Sequence, residues 1–219
     1  MSCLLPRLHI RLLSLRVSSG IHHPKPSVRA RSSYLFHKFI KEDRNELPHE
    51  IILRLLDSIR DVLLVVTELP EPESPDQDIL SDAIREPSIF DSQLYLFEAA
   101  GTLVSLTYGL PQEQQAVLLR SLTKPLEEGM AQAIRTPMHG PQDVMPVVQV
   151  HHYIMAIGGI SKGFVEFPNP VPEDWIVPPL EVFEEAAQTI LMALDAMKNF
   201  KVVRDAVCGS FYGTRLVID

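Results

Sequence analysis

Apolar residues recur along most of this chain at steps of three and four, and no stretch alternates convincingly with period two. The spacing predicts helices that start near residues 27, 48, 89, 112, 143, 179 and 200. The most informative is 89–108. One seam runs Phe90, Leu94, Phe97, Gly101, Val104, Tyr108, and a second runs Leu96, Ala99, Leu103, Leu106. Leu94 and Leu96 stand about 200° apart around a helix, so the seams face nearly opposite ways and the helix is buried between two neighbours. Ala99, Ala100 and Gly101 would let a neighbour's backbone come close. The pattern implies an all-α fold built as an α-α superhelix, a solenoid of the HEAT and armadillo type.

The flanking elements follow from the same spacing. A first helix from Ser27 to about Lys41 has Val28, Leu35, Phe36 and Phe39 as its apolar face. Pro48 opens the next, with Ile52, Leu55, Leu56, Ile59, Leu63 and Val66 in phase; proline suits a first helical position. Residues 68–87 hold four prolines and seven acids, which oppose a packed core, with Ile79, Leu80 and Ile84 as one helical turn inside a loop. Pro111 starts a helix carrying Val117, Leu118, Leu122, Leu126, Met130 and Ile134. Pro125 lies inside it and should kink or break it. Pro141 begins the next, with Val144, Val147, Val148, Val150, Ile154 and Ile157. Residues 168–179 are a proline-rich connection, with Trp175 expected to anchor it against a helix end. Leu180, Phe183, Ala187, Ile190, Leu194 and Met197 form a clean seam, and a last helix starts near Phe200. Taken in pairs, the helices make units of about 40 to 60 residues, similar to HEAT pairs.

Charge divides the chain unevenly. Residues 1–41 carry eight basic residues and no acid, whereas residues 42–219 carry 12 basic and all 28 acidic residues. A basic entry and an acidic body suggest two kinds of partner, or one partner gripped at one end. Residues 1–19 are rich in Leu, Arg and Ser and acid-free, a composition shared by mitochondrial transit peptides and by the end of a longer repeat. Cys3 and Cys208 are too far apart in sequence to suggest a disulfide framework. No apolar run approaches the ~20 residues of a membrane span, so no membrane insertion is expected.

Catalytic motifs find little support. Gly159-Ile160-Ser161-Lys162-Gly163 matches G-x-S-x-G, but that elbow needs a strand before it and a histidine after it. Here a helix precedes it, and the last histidine is His152. The bland reading of Gly158, Gly159 and Gly163 is a helix end with a left-handed cap. The adjacent pairs His22-His23 and His151-His152 are poorly placed to chelate, because neighbouring helical residues diverge by about 100°. Neither cysteine has a metal-spaced companion. No enzymatic activity, no metal and no cofactor is expected. The remaining signal is binding: Arg29, Arg31, Lys38 and Lys41 could hold phosphates, as sequence-independent contacts do. The same residues could equally be an ordinary charged helix face. Lys198, Lys201 and Arg204 form a smaller basic group that would also complement a helix dipole.

Three stretches taken together resemble exportin-T, the tRNA nuclear export receptor of the importin-β (karyopherin) type, and especially its fungal members. They are residues 27–41 (SVRARSSYLFHKFIK), residues 91–101 (DSQLYLFEAAG) and Val203-Arg204-Asp205-Ala206. The resemblance implies a middle segment of a longer HEAT superhelix that wraps tRNA with Ran-GTP and passes nuclear pore proteins between nucleus and cytoplasm. The Ran site is expected outside this segment, and Arg29, Arg31, Lys38 and Lys41 are the expected tRNA phosphate contacts. The expected organisation is an atypical segment at 1–19, helical repeats at 20–207 and a divergent tail at 208–219. The alternative is a helical-repeat scaffold that binds only protein partners, with no RNA role.

Overall fold

The computed structural model describes residues 19–44, 47–74, 76–107, 111–140, 143–164 and 178–218, with side chains as far as 210. Every regular element among them is helical. They are α1 (Pro26–Asp43), α2 (His49–Ile59), α3 (Ile79–Arg85), α4 (Ile89–Ser105), α5 (Gln112–Arg135), α6 (Met145–Lys162), α7 (Leu180–Met197) and α8 (Lys201–Ile218). A 3-10 turn, Arg60–Val62, extends α2. The starts agree with the periodicity to within about two residues, the usual uncertainty of a helix end. The residues around Trp175 and Pro141, and residues 1–18, lie outside the described part.

Helix α4 is held at both ends and on two sides. A capping box starts it: the Asp91 backbone N–H donates to Ser88 Oγ, and the Ser88 backbone N–H donates to Asp91 Oδ2 at 2.7 Å. Each bond satisfies a backbone donor that a helix N-terminus leaves open. Phe97, Ala99, Ala100, Leu103 and Val104 are all fully buried. The helix packs against α1 on one side and α6 on the other, with α2 and α5 contributing lesser contacts. This is the two-sided burial that its two seams predict.

Missing side chains make the α4–α6 contact possible. A Cβ added to Gly101 would fall on the backbone carbonyl of Ile160, and one added to Gly163 would fall on the backbone of Gly101 and Thr102. Gly159 faces the same contact, with its added Cβ 3.3 Å from that of Phe97. On the far side of α6, a Cβ on Gly158 would stand 2.5 Å from Ser210 Oγ of α8. The Ser210 hydroxyl itself donates to the Ile154 carbonyl at 3.1 Å. These glycines are therefore not a left-handed cap. Gly163 has φ −63° and ψ −18°, ordinary right-handed geometry, and its role is to admit a neighbouring backbone.

Helices α1, α4, α6 and α8 thus form one row in which each packs closely on the next. Helices α2, α5 and α7 form the other row, and it is looser. Arg120 of α5 reaches Glu185 of α7 at 3.0 Å and Glu181 at 3.9 Å. Between α2 and α5 a groove of about 120 Å³ stays open, lined by Leu53, Leu56, Arg60, Val104, Leu118 and Leu122. The α1–α4–α6–α8 row is thus the tighter of the two. One continuous core runs between the rows from Ile21 to Val207.

Five expectations need correction. The helical units are α2 with α4, α5 with α6 and α7 with α8; α1 and α2, though consecutive, do not pack as a pair. Helix α2 ends at Ile59 rather than Val66, because Gln93 of α4 takes the next segment's backbone. Its side-chain amide donates to the carbonyls of Val62 (2.9 Å) and Leu64 (2.6 Å), and its oxygen accepts from Val66 N–H at 3.0 Å. The acidic loop does bury apolar groups: Ile79 and Ala83 of α3 form a satellite core with Val144 and Val148. The carboxylate of Asp78 caps α3 by accepting from the Ser81 N–H. Pro125 does not break α5, which runs unbroken from Gln112 to Arg135. Its ring is exposed and Leu126, Met130 and Ala133 beyond it are buried, so packing holds the helix across the lost bond. On α1 the buried residues are Ser33, Phe36 and Ile40, and Leu35 is exposed instead.

Three substitutions test these contacts. Gly101→Ala should cost about 2–3 kcal/mol in urea unfolding, because the obstacle is a backbone carbonyl that cannot rotate away. Gly209→Ala, at a helical position with open space around it, should gain about 0.5–1 kcal/mol. Gln93→Ala should cost about 1–3 kcal/mol by stranding the bonds to residues 62–66. It should also speed protease cleavage between residues 62 and 87 before the helices are cut.

Candidate nucleic-acid interface

Helix α1 buries Ser33, Phe36 and Ile40 and turns the opposite side outward. Positions 31, 34, 38 and 41 follow one another at steps of three and four, so they share that outer side. Arg31, Lys38 and Lys41 are exposed there, with Tyr34 among them at 39% exposure. Arg31 makes no ion pair among the described residues. Lys38 Nζ lies 3.7 Å from Glu42, and Lys41 Nζ lies 3.5 Å from Glu98 Oε1 on α4.

Arg29 does not join them. It is half-buried near the other side of the helix, and its guanidinium donates to the carbonyls of His23 (3.1 Å) and Pro24 (2.8 Å). It fastens the chain that enters α1. The structure therefore brings together three of the four expected cations. The second basic group is already engaged nearby: Lys198 with Asp195 at 3.1 Å, Lys201 with Asp205 at 2.6 Å, and Arg204 of α8 with the Lys198 carbonyl at the end of α7.

The periodicity did not single out the α4 side of this surface. Tyr34 meets Tyr95 edge to face, with ring centroids 5.5 Å apart. The His37 ring lies 5.7 Å from Tyr95, and its Nε2 lies 3.0 Å from Glu98 Oε1. His37 and Lys41 together hold the half-buried Glu98 carboxyl below its usual range, the histidine contact first. The available signal was Tyr34 itself, three residues after Arg31 and four before Lys38.

Chemistry elsewhere is structural. Ser161 lies within α6 at 1% exposure, with its hydroxyl donating to the Ile157 carbonyl at 3.0 Å. No strand leads into it, so the nucleophile geometry is absent at this serine. His152 stacks on Phe90 with centroids 3.9 Å apart and planes 3° apart, and its Nδ1 lies 3.1 Å from that of His151. Among the described residues no group of His, Cys, Asp and Glu is arranged to hold a metal ion. Nor is any described helix long and apolar enough to cross a membrane.

The family model of Exportin-T matches residues 8–218 of the chain. The chain belongs to the exportin-T family. It is 46% identical over 209 residues to Exportin-T of Laccaria bicolor, covering 95% of this chain and 19% of that protein. Exportin-T of Coprinopsis cinerea is 42% identical with the same coverage of both chains. Exportin-T of Mycosarcoma maydis is 38% identical over 88% of this chain and 17% of its own length. The chain thus spans about one-fifth of the length of these curated relatives. The exportin-T match takes in both the α1 surface and the glycine contact of α4 with α6.

The histidine pair gives this exportin-T segment a measurable acid sensitivity. Burial pushes His152 down to about 3, helped by the charge of His151, and pushes His151 down to about 4. In the unfolded chain both rings take up a proton near pH 6.5. Between about pH 6.5 and 4 the unfolded state therefore binds more protons, and stability present above pH 6.5 is lost as pH falls. Each ring contributes a slope of at most about 1.4 kcal/mol per pH unit. His152→Phe should remove roughly half of this pair's contribution. Urea midpoints at pH 7, 6 and 5 for both proteins provide the check; parallel lines would show that His152 titrates normally in the fold.

Proposed function

We propose that this exportin-T segment forms part of the wall of a helical-repeat receptor that binds tRNA in the nucleus and releases it in the cytoplasm, without a catalytic step. Family membership over residues 8–218 carries this reading. As implied by the resemblance, the receptor would work with Ran-GTP and nuclear pore proteins, through sites not assigned to these residues. Within the segment, Arg31, Lys38 and Lys41 contact phosphates, and Arg29 positions the start of α1.

Two features support the placement. The three cations share one exposed side of α1. Their existing partners also hold them weakly. Lys38 and Glu42 are about half or more exposed, at 52% and 64%, and such pairs are worth roughly 0–1 kcal/mol. Exchanging Glu42 for a phosphate therefore costs little. The contacts would read shape and backbone, since the base edges of double-helical RNA lie in a deep, narrow groove.

Filter binding of tRNA to the 219-residue chain across a salt series tests the assignment. Changing Arg31, Lys38 and Lys41 together to Ala should weaken binding and flatten the slope of log K against log salt by about 2–3. Arg29→Ala should leave that slope within experimental error. Unchanged affinity and slope in the triple variant would remove these residues from the interface. Indifference of the parent chain to tRNA, with a basic protein partner retained, would favour the scaffold alternative that the exposed acids of residues 68–87 otherwise suggest.

A further inference from the structure

We infer that Tyr34 and Tyr95 form a stacking platform for one unpaired nucleobase of the bound RNA, with Arg31 and Lys38 on the phosphates that flank it. This goes beyond phosphate gripping and rests on the RNA-binding reading above. Both rings are 39% exposed, and they brace each other at 5.5 Å with planes 80° apart. A tyrosine held at its edge by a second ring keeps an open face while losing little freedom on binding. Arg31 lies one turn before Tyr34 on the helix and Lys38 one turn after it, so a cation flanks the platform on either side.

Charge decides between a base and a duplex. The surface holds Arg31, Lys38 and Lys41 against Glu42 and Glu98, so Arg and Lys side chains exceed acids by one. Gripping a duplex backbone takes many cations spread along it. A small excess of charge beside a pair of rings instead matches a splayed-out nucleotide, whose base stacks on an aromatic side chain while its phosphates meet the neighbouring cations. The platform bridges α1 and α4, the first two helices of the tight row, so a bound base would touch two layers at once.

Three RNAs separate the ideas: a blunt hairpin, the same hairpin with an unpaired tail, and the same hairpin with an abasic tail of equal charge. The 219-residue chain should bind the tailed hairpin about tenfold tighter than the abasic one, within the range for stacking one base. Tyr34→Leu and Tyr95→Leu should each abolish most of that difference, and Tyr34→Phe should keep it. A 2-aminopurine placed in the tail should be quenched on binding to the unaltered protein, a readout that needs no variant. Equal affinity for the tailed and abasic hairpins overturns the platform while leaving phosphate binding intact. Binding to none of the three overturns both readings. A base-dependent difference that survives in both leucine variants assigns stacking to another site and overturns the inference.

Discussion

The approach of α4 to α6 at Gly101 is the constraint on which the other arrangements depend. Residues on both helices have given up side chains so that one backbone can lie on the other. Gly158, on the opposite side of α6, repeats the device toward α8. These positions let the backbones of α4, α6 and α8 lie close, while the other row keeps an open groove between α2 and α5. A methyl group at Gly101 would act on more than local packing, since it would push apart two helices that share one continuous core.

Much of the fold was legible because a sandwiched helix leaves a clear trace. The two seams of α4 and the small residues between them state that it has neighbours on both sides and that one comes close. What periodicity could not register was competition for backbone hydrogen bonds. Val62 to Val66 looks helical by spacing, yet Gln93, 27 or more residues later, takes three of its backbone groups and the helix does not continue through it. A similar limit explains Pro125, where buried neighbours outweigh a local rule, and Ile79 with Ala83, where an acidic surrounding hid a two-residue apolar face. The pairing of helices was also out of reach, because spacing gives succession in the chain and not adjacency in space.

The candidate site was legible only in part, for a different reason. Charge counts identified the basic helix, but they cannot distinguish a cation facing solvent from one tied to a carbonyl. Arg29 and Arg31 are two residues apart and stand on nearly opposite sides of α1, one bonded to the entering chain and one outward. Nor did the sequence reveal that Glu98 of α4 reaches across to Lys41 and His37. The second basic group shows the same limit, since each of its residues is engaged with a nearby carboxylate or carbonyl.

The modest charge of this surface bears on how a receptor of this kind would bind. One excess cation in a segment about one-fifth of its relatives' length cannot by itself hold a folded RNA against physiological salt. Under the proposed reading, affinity must be summed over many layers, each adding a weak contact at fixed geometry. Such a sum is sensitive to curvature, because layers set at the wrong angle cannot all engage together. The glycines of the tight row then matter to binding without touching the ligand, because they fix how closely successive layers stack. The same logic favours shallow, exposed pairs such as Lys38–Glu42 over buried ones. A contact that must form and later release is better built from charges that water and neighbouring acids can readily take back.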